Sequence, residues 1–363
     1  VLSDGTIKCW GSNDKGQLGS GSGAMTSATP VKVSGINSAL QVTVGYAHAC
    51  AVLSDGTARC WGDNTTGQLG NNSTSGSSTP VQVSGITTAI AISAGSQTAQ
   101  VSDYSAHTCA VLSDGTVKCW GWNYFCQLGN GQRTCGGNCG CNTSHVPVSV
   151  NGVTSAVAVA MSGADSCALL RDAGVYCWGD DNQGEISGSM TVSVPTVMLA
   201  PSPTGDSFMV LDPTGTIRGW GHDYDGQLGD GTTGADKSTA VTVMGVTNAV
   251  AMAVEGVTND RPPGHGCAVL SDHHVRCWGD NAYGQLGNGS TNNSLSPVAV
   301  TGITSATAIA LGSGIQSIGT SYGFSCALLA AGTVQCWGYG GEGQLGPDGG
   351  TSSTVPVSVV GLP

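Results

Sequence analysis

Fifteen cysteines are the most reactive side chains in this 363-residue chain, and their spacing decides what chemistry they can do. In Cys50-Ala-Val-Leu-Ser-Asp55-Gly-Thr-Ala-Arg-Cys60 the two thiols are symmetric about Asp55. A three-residue hairpin loop Ser54-Asp55-Gly56, with its glycine left-handed, places them opposite each other. Opposed residues of a non-hydrogen-bonded antiparallel pair have Cα atoms about 4.5 Å apart, within disulfide range. The spacing therefore predicts five disulfides, Cys50–Cys60, Cys109–Cys119, Cys167–Cys177, Cys267–Cys277 and Cys326–Cys336. A further copy of the pattern has Phe208 and Gly219 in the two places, so both cysteines are absent together, as a bond requires.

Cys126, Cys135, Cys139 and Cys141 follow a C-x8-C-x3-C-x-C spacing without the C-x2-C pairs of a zinc site. Two more disulfides are expected there, with three connectivities open. Cys9 is left over: either it is free or it bonds a cysteine outside the sequence. His48, His107 and His265 each stand two residues before a cysteine, and Asp165, Asp206 and Phe324 hold that place in other copies. A recurring place in a repeat is architectural, so the histidines read as strand-end hydrogen bonders rather than catalysts. Segments such as Gly62 to Gly67 lack the D-x-D-x-D-G run and distal Glu of a calcium loop. No metal or cofactor is expected, and no nucleophile, base and orienting group recur together, so no catalytic residue is assigned.

Only 9% of the residues are charged, with 58 glycines and a net charge of −12. Eleven Lys and Arg against 23 Asp and Glu cannot neutralise a phosphate backbone, which argues against nucleic-acid binding. No apolar run approaches the roughly 18 residues of a membrane-spanning helix. So many cysteines without a metal motif point to an oxidising compartment: extracellular, periplasmic or at the cell surface.

The elements that position these groups repeat. Cys-Trp-Gly or a near relative recurs with its tryptophan at 10, 61, 120, 178, 220, 278 and 337, at spacings of 51, 59, 58, 42, 58 and 59 residues. A Pro-Val-x-Val-x-Gly segment runs in phase from Pro30, Pro80, Pro147, Pro195, Ala240, Pro297 and Pro356, the copies at Pro195 and Ala240 being degraded. Between them lie an alternating apolar stretch and Cys-Ala-Val-Leu. Read in that order, with Pro-Val first, each unit has four antiparallel strands, the size of a propeller blade. The tryptophans are expected to pack in the core, and Asn13, Asn64, Asn123 and Asn281 to form turns.

Trp10 to Gly19, Trp61 to Gly70 and Trp278 to Gly287 read Trp-Gly-x-Asn-x-x-Gly-Gln-Leu-Gly, and His48 to Thr57 and His107 to Thr116 read His-x-Cys-Ala-Val-Leu-Ser-Asp-Gly-Thr. In these motifs the chain resembles the regulator of chromosome condensation family, and its cysteines resemble the exported bacterial branch. The resemblance covers essentially all of residues 1–363 and implies one all-β domain, a seven-bladed propeller of four-stranded blades. The ring would be closed by N- and C-terminal strands sharing a blade. The chain departs from the pattern at Gly184-Glu-Ile-Ser-Gly188, at Cys126, and at the 42-residue spacing, which predicts an irregular fifth unit. Because it starts and stops inside a unit, it is expected to be a fragment of a longer polypeptide.

In a four-strand meander the connections alternate faces. Gly45 to Cys50 is five positions, Gly95 to Cys109 and Gly312 to Cys326 fourteen each, and Gly256 to Cys267 eleven, so length variation falls on one face. That face carries the candidate binding residues Tyr104, Trp122, Tyr124, Phe125, Tyr322 and Phe324, in a chain with 5% aromatic residues. They suit a protein or glycan ligand, or else cover their own loops. The expected function is a non-catalytic exported binding or structural module, acting alone or as one subunit of a larger cell-surface or extracellular assembly. The alternatives are a propeller lyase or hydrolase drawing on His145, His222, Asp103 or Asp260, and a guanine nucleotide exchange factor, as the family resemblance implies.

Overall fold

The computed structural model describes residues 1–97, 105–131, 143–179, 195–203, 205, 207–234, 236–256, 264–317 and 320–362. Within them the chain forms strands and no helix. β1 (Lys8–Ser12) pairs with β2 (Thr26–Lys32). The second sheet is β3 (Ala39–Val44), β4 (His48–Leu53), β5 (Ala58–Gly62) and β6 (Ser77–Gln82). The third is β7 (Ala89–Gln97), β8 (Ser105–Leu112), β9 (Val117–Gly121) and β10 (Ser144–Ser149). The fourth holds β11 (Ala156–Met161), β12 (Asp165–Leu170) and β13 (Val175–Gly179). The fifth is β14 (Met198–Pro201), β15 (Ser207–Leu211), β16 (Ile217–Gly221) and β17 (Lys237–Thr242). The sixth is β18 (Ala249–Glu255), β19 (His265–Leu270), β20 (Val275–Gly279) and β21 (Ser294–Ala299). The last is β22 (Ala306–Ser317), β23 (Thr320–Leu329), β24 (Val334–Tyr339) and β25 (Ser352–Ser358). Every pairing is antiparallel between strands adjacent in sequence, the meander of a β-propeller blade.

Three expectations change. The Pro-Val segment is the last strand of a sheet, not the first: Val81 lies opposite Cys60, so each unit starts at the alternating stretch. The described blades are six sheets of three or four strands, with β1–β2 a seventh, two-stranded sheet. The fifth sheet is irregular as expected, β14 being cut to four residues, and the fourth has three strands among the described residues, residues 180–194 after β13 lying outside them. Finally, the terminal strands do not share a blade, since β25 pairs with β24 and β1 with β2. The ends meet instead as neighbouring sheets, Lys8 Nζ donating to the Gly361 carbonyl at 2.7 Å.

The core lies between consecutive sheets. One apolar cluster joins Leu69, Val83 and Ile86 to Ile92, Ala110 and Trp120 of the following sheet, all buried. A fully buried Trp removes some 150–250 Å² from water, which is why the tryptophan recurs once per unit. Its indole also needs an acceptor. Trp61, Trp120, Trp178, Trp278 and Trp337 donate to the backbone carbonyls of Gln17, Gln68, Gln127, Gln227 and Gln285, at 2.8 to 2.9 Å. The Gly-Gln-Leu-Gly turn of one unit is thus the receptor for the tryptophan of the next. Gly70 must be glycine there: its φ is +64°, and a Cβ would sit 2.7 Å from the Trp120 Nε1. Asn64 holds the turn, accepting from the Leu69 N–H and donating to the Ser73 and Ser75 carbonyls.

The recurring histidines form a second tie between sheets. His48, His107 and His265 are buried and lie 2.9 to 3.0 Å, through Nε2, from Thr108, Ser166 and Ser325 of the next sheet. Each hydroxyl spends its proton on a Gln carbonyl, so it must accept from the imidazole, which fixes the Nε2–H tautomer. They are hydrogen bonders, but between blades rather than only at strand ends.

The cysteine arithmetic has its geometric counterpart. Cys50 faces Cys60 across β4 and β5, and the pairs 50–60, 109–119, 167–177, 267–277 and 326–336 are disulfide-bonded with Cα atoms 4.0 to 4.1 Å apart. The loop between Leu53 and Thr57 has three residues, with Gly56 at φ +77°. Cys9 is a free thiol and Cys126 is disulfide-bonded. Cys135, Cys139 and Cys141 lie outside the described residues.

Candidate functional site

The connections do alternate faces. On one, the Ser-Asp-Gly hairpin rests on the turn leading to the next sheet, Ala89 N–H bonding the Gly56 carbonyl at 2.8 Å. On the other lie the loop between the first two strands of each blade and the long return from the third.

Trp122 directly follows β9, where Gly121, at φ +102°, turns the chain out of the sheet. The Phe125 N–H is held by the Gln127 side chain at 2.9 Å, and Cys126 takes a left-handed φ of +65°. This turn projects three rings against one another. Trp122 stacks on Tyr124 at 5.9 Å, and Phe125 meets both edge-on, at 5.4 and 5.0 Å. Tyr124 is 43% exposed, while Trp122 and Phe125 are half-buried. The result is a rigid, outward aromatic cluster.

Tyr322 and Phe324 belong to a different place. Both are on β23, half-buried, and Tyr322 stacks on Tyr339 at 4.1 Å, with Tyr283 edge-on to Tyr339 at 5.3 Å. Burial pushes the Tyr322 phenol above its ordinary range. Tyr322 and Phe324 line a cleft of about 620 Å³ between the last sheet, β1 and β3–β4, whose walls include Trp10, Val44, Tyr46 and Ala310. The six aromatic candidates therefore do not form one surface: three make the cluster, two line the cleft, and Tyr104 lies outside the described residues.

The residues of the dispersed enzyme reading do not come together either. His145 is exposed on β10 of the third sheet, and His222 is buried after β16 of the fifth, its ring 4.5 Å from that of Tyr224. Asp103, Asp206 and Asp260 lie outside the described residues. Sequence reading missed an acidic group. Burial raises Asp223 to about 7 and Asp225 to about 6, and Asp280 also rises. Asp223 occupies the asparagine place of Trp-Gly-x-Asn and accepts from the Leu228 N–H at 3.0 Å as Asn64 does from Leu69. Asp280 likewise holds its turn by accepting from the Gln285 side chain, while Asp225 accepts from the Gly264 N–H at the entry to β19 and so ties the fifth sheet to the sixth. Among the described residues no three His, Cys, Asp or Glu side chains are grouped to hold a metal ion.

Meandering four-stranded sheets latched through Trp, Gly-Gln-Leu-Gly and His define a β-propeller built of sequence repeats. Two regulator of chromosome condensation (RCC1) repeat profiles match it, one over residues 4–52, 55–99 and 272–328 and the other over 40–68, 89–127 and 315–344, together more than half of the chain. The chain belongs to the RCC1 repeat family. The human E3 ubiquitin-protein ligase HERC2 is 28% identical over 84% of this chain and 6% of its own length. The Ultraviolet-B receptor UVR8 of Arabidopsis thaliana is 26% identical over 78% of this chain and 62% of its own. The chain thus spans less than two thirds of either relative. Among solved structures, human WBSCR16 superposes with a TM-score of 0.78 at 20% identity, covering 98% of this chain and 94% of that one. Yeast RCC1 (Prp20), solved with Kap60 bound, gives 0.76 at 17% identity, covering 99% and 84%. At these identities the structures show the fold alone.

Proposed function

We propose that the chain is a non-catalytic binding module, exported to an oxidising compartment, that recognises a protein or glycan with its loop face. The carrying observation is the Trp122–Tyr124–Phe125 cluster: three rings held in mutual contact by a turn, with one ring open to solvent. Rings fixed before binding lose little conformational entropy on contact, which suits them as anchors. The fold family supports the general reading, since the yeast relative is described as binding Kap60. Five disulfides support an oxidising compartment over a cytosolic exchange-factor role. The seven sequence units support a seven-unit ring, with β1–β2 the inner-strand-deficient member, and the cysteines support membership of the exported bacterial branch.

The test is binding of the purified chain to immobilised polysaccharides and to an array of secreted proteins, with Tyr124→Ala and Trp122→Ala beside the parent. A loss of about tenfold in affinity, roughly 1.4 kcal/mol, with an unchanged melting temperature supports the reading. Equal binding by parent and both variants moves recognition elsewhere. Loss of folding assigns the rings to their own loop.

A further inference from the structure

We propose that the hairpin face, opposite the aromatic cluster, holds a second binding site at its centre. It is an apolar mouth rimmed by carboxylates, and it takes a polypeptide segment with bulky apolar residues flanked by Lys or Arg.

The first strands of the blades stand innermost and are tied to one another. The Gln41 side chain accepts from the Ile92 N–H and donates to the Ile92 carbonyl, both at 3.1 Å. Thr43 Oγ1 accepts from the Ala94 N–H, Ser93 Oγ accepts from the Met161 N–H, and Ser313 Oγ donates to Glu255. Near the hairpin end of four of these strands the pairing slips by one residue, at Leu40, Ile90, Val157 and Val250. Such a bulge takes a residue out of the alternation and re-aims its side chain. Here it withdraws an aliphatic side chain from both neighbouring blades. The four are 69, 52, 39 and 48% exposed, whereas Ala39, Ala89, Ala156 and Ala249, just ahead of them, are 5% exposed or less. The fifth unit adds Val197, 56% exposed, directly after Thr196, whose N–H bonds the Ala173 carbonyl as Ala89 bonds that of Gly56. Exposed aliphatic side chains at one place of the repeat, turned toward one axis, form a patch rather than scattered exposure.

The opposite end of that central space is narrowed. After β14, the Pro203 carbonyl accepts from the Ser96 N–H of the third sheet at 2.8 Å, and the Gly205 carbonyl from the Gly163 N–H of the fourth at 2.9 Å. This loop is drawn across the inner strand ends, so the space between the first strands opens toward the hairpin face.

The charge around the mouth selects the partner. Each bulge is bracketed by two hairpins: Ala89 N–H bonds the Gly56 carbonyl of the preceding one, and Ser113 N–H of its own bonds the Thr88 carbonyl. The same brackets hold Val157, through Gly115 and Arg171, and Val250, through Gly215 and Ser271. Asp55, Asp114, Asp172 and Asp272 stand exposed at the hairpin tips. Each carboxylate accepts the backbone N–H two residues on, from Thr57, Thr116, Gly174 and His274, which fixes it at the rim. At these four tips the one fixed cation is Arg171, while Arg59, Lys118 and Arg276 stand on the third strands, further from the centre. An apolar centre inside an anionic rim complements a segment with an apolar middle and cationic flanks, and disfavours an acidic one.

The probe is the fluorescein-labelled peptide GKRLFLRKG, titrated with the whole chain by fluorescence anisotropy. Saturable binding is expected, weakened at least about tenfold with GKRSGSRKG, which lacks the apolar middle, and with GEDLFLDEG, which reverses the flanks. Ile90→Thr with Val250→Thr should weaken it as much at an unchanged melting temperature, since Thr307 holds the bulge of the last sheet. Val157→Thr, in another blade, repeats the test if that pair melts early. Asp55→Asn with Asp114→Asn should give a smaller loss, about threefold, that shrinks as salt is added. Tyr124→Ala, on the loop face, should change nothing. Equal binding of GKRSGSRKG, or by the threonine variants, overturns the apolar mouth. Tighter binding of GEDLFLDEG overturns the anionic rim, and binding of none of the peptides overturns the site. Self-association of the parent chain that the threonine pair abolishes gives the mouth to a second copy and overturns the peptide assignment.

Discussion

The indole N–H of Trp10 donates to the backbone carbonyl of Gln344 over 2.9 Å and 334 residues of sequence. It is the same bond that five other neighbouring pairs of units make over 44 to 52 residues, from Trp61 to Gln17 through to Trp337 and Gln285. The first and last units therefore meet as ordinary neighbours. Trp220 has no such acceptor among the described residues, its counterpart, Glu185, lying outside them.

Trp10→Phe keeps an aromatic ring but removes the pyrrole half of the indole with its N–H. It is expected to destabilise the chain by at least about 1 kcal/mol, the net worth of one hydrogen bond, with a further loss from the missing volume. Trp120→Phe, at a fully buried site, should cost more, because its acceptor is left dry. Equilibrium urea denaturation of the two variants checks the order.

Gly70→Ala and Gly85→Ala separate two reasons for glycine. Both residues have φ near +65°, but a Cβ at Gly70 meets the Trp120 indole at 2.7 Å and one at Gly85 meets nothing. Gly85→Ala should cost about 1 kcal/mol from backbone strain alone, and Gly70→Ala at least about 2 kcal/mol more through displacement of the tryptophan. Equal losses would mean that the indole moves aside without penalty.

The disulfides act on the unfolded chain. Replacing Cys50 and Cys60 together by Ser should cost about 2–3 kcal/mol on the loop-entropy argument, without altering the remaining bridges. Sheet five folds with Met209 opposite Gly219 in those places, so the bond is an added constraint rather than a condition of the fold. Phe208, expected there from the sequence, faces Trp220 instead, because Val210-Leu211 stands one residue further from its tryptophan than Val52-Leu53 does. Thermal melts with and without reductant read the sum over all bridges.

Acid stability should divide between two sets of groups. Burial lowers His48 to about 4 and His107 and His265 to about 3. The unfolded chain therefore takes up protons below about pH 6.5 that the folded chain refuses, and stability falls as the pH drops from 6.5 toward 4. His265→Gln, which keeps a donor toward Ser325, should flatten that fall.

Asp223 works in the opposite sense. Its folded value of about 7 lies above the ordinary 3.8, so the folded chain holds a proton that the unfolded chain sheds. Stability from this group falls as the pH rises from about 4 to 7. Asp223→Asn restores the residue used at Asn64 and should stabilise by about 1–3 kcal/mol above pH 7, with the gain vanishing below pH 4. Melting temperatures across pH 3 to 9 for parent and variant check the sign.

Much of this was legible beforehand because repetition turns one chain into several aligned observations. The symmetry of Cys50 and Cys60 about Asp55 sets a hairpin register that any antiparallel pair must obey. The phase of the unit was not legible, since a ring of meanders has no marked beginning: Pro-Val precedes the next alternating stretch as directly as it follows Cys-Trp-Gly. Only the pairing of Val81 with Cys60 decides it. The aromatic candidates shared a face by strand alternation, yet alternation says nothing about which blade lies beside which loop. Hence Trp122, Tyr124 and Phe125 fall together while Tyr322 and Phe324 line the cleft.

By itself the sequence determined what is local and periodic: strands, tight turns, the five hairpin disulfides and one buried tryptophan per unit, each fixed within a few dozen residues. The tertiary structure decided what depends on distant neighbours. It made Gly-Gln-Leu-Gly the acceptor for the next unit's indole and turned a recurring histidine into a tie between blades. Those outcomes rest on which surfaces the curvature of the ring brings into contact, and no spacing along the chain encodes that contact directly.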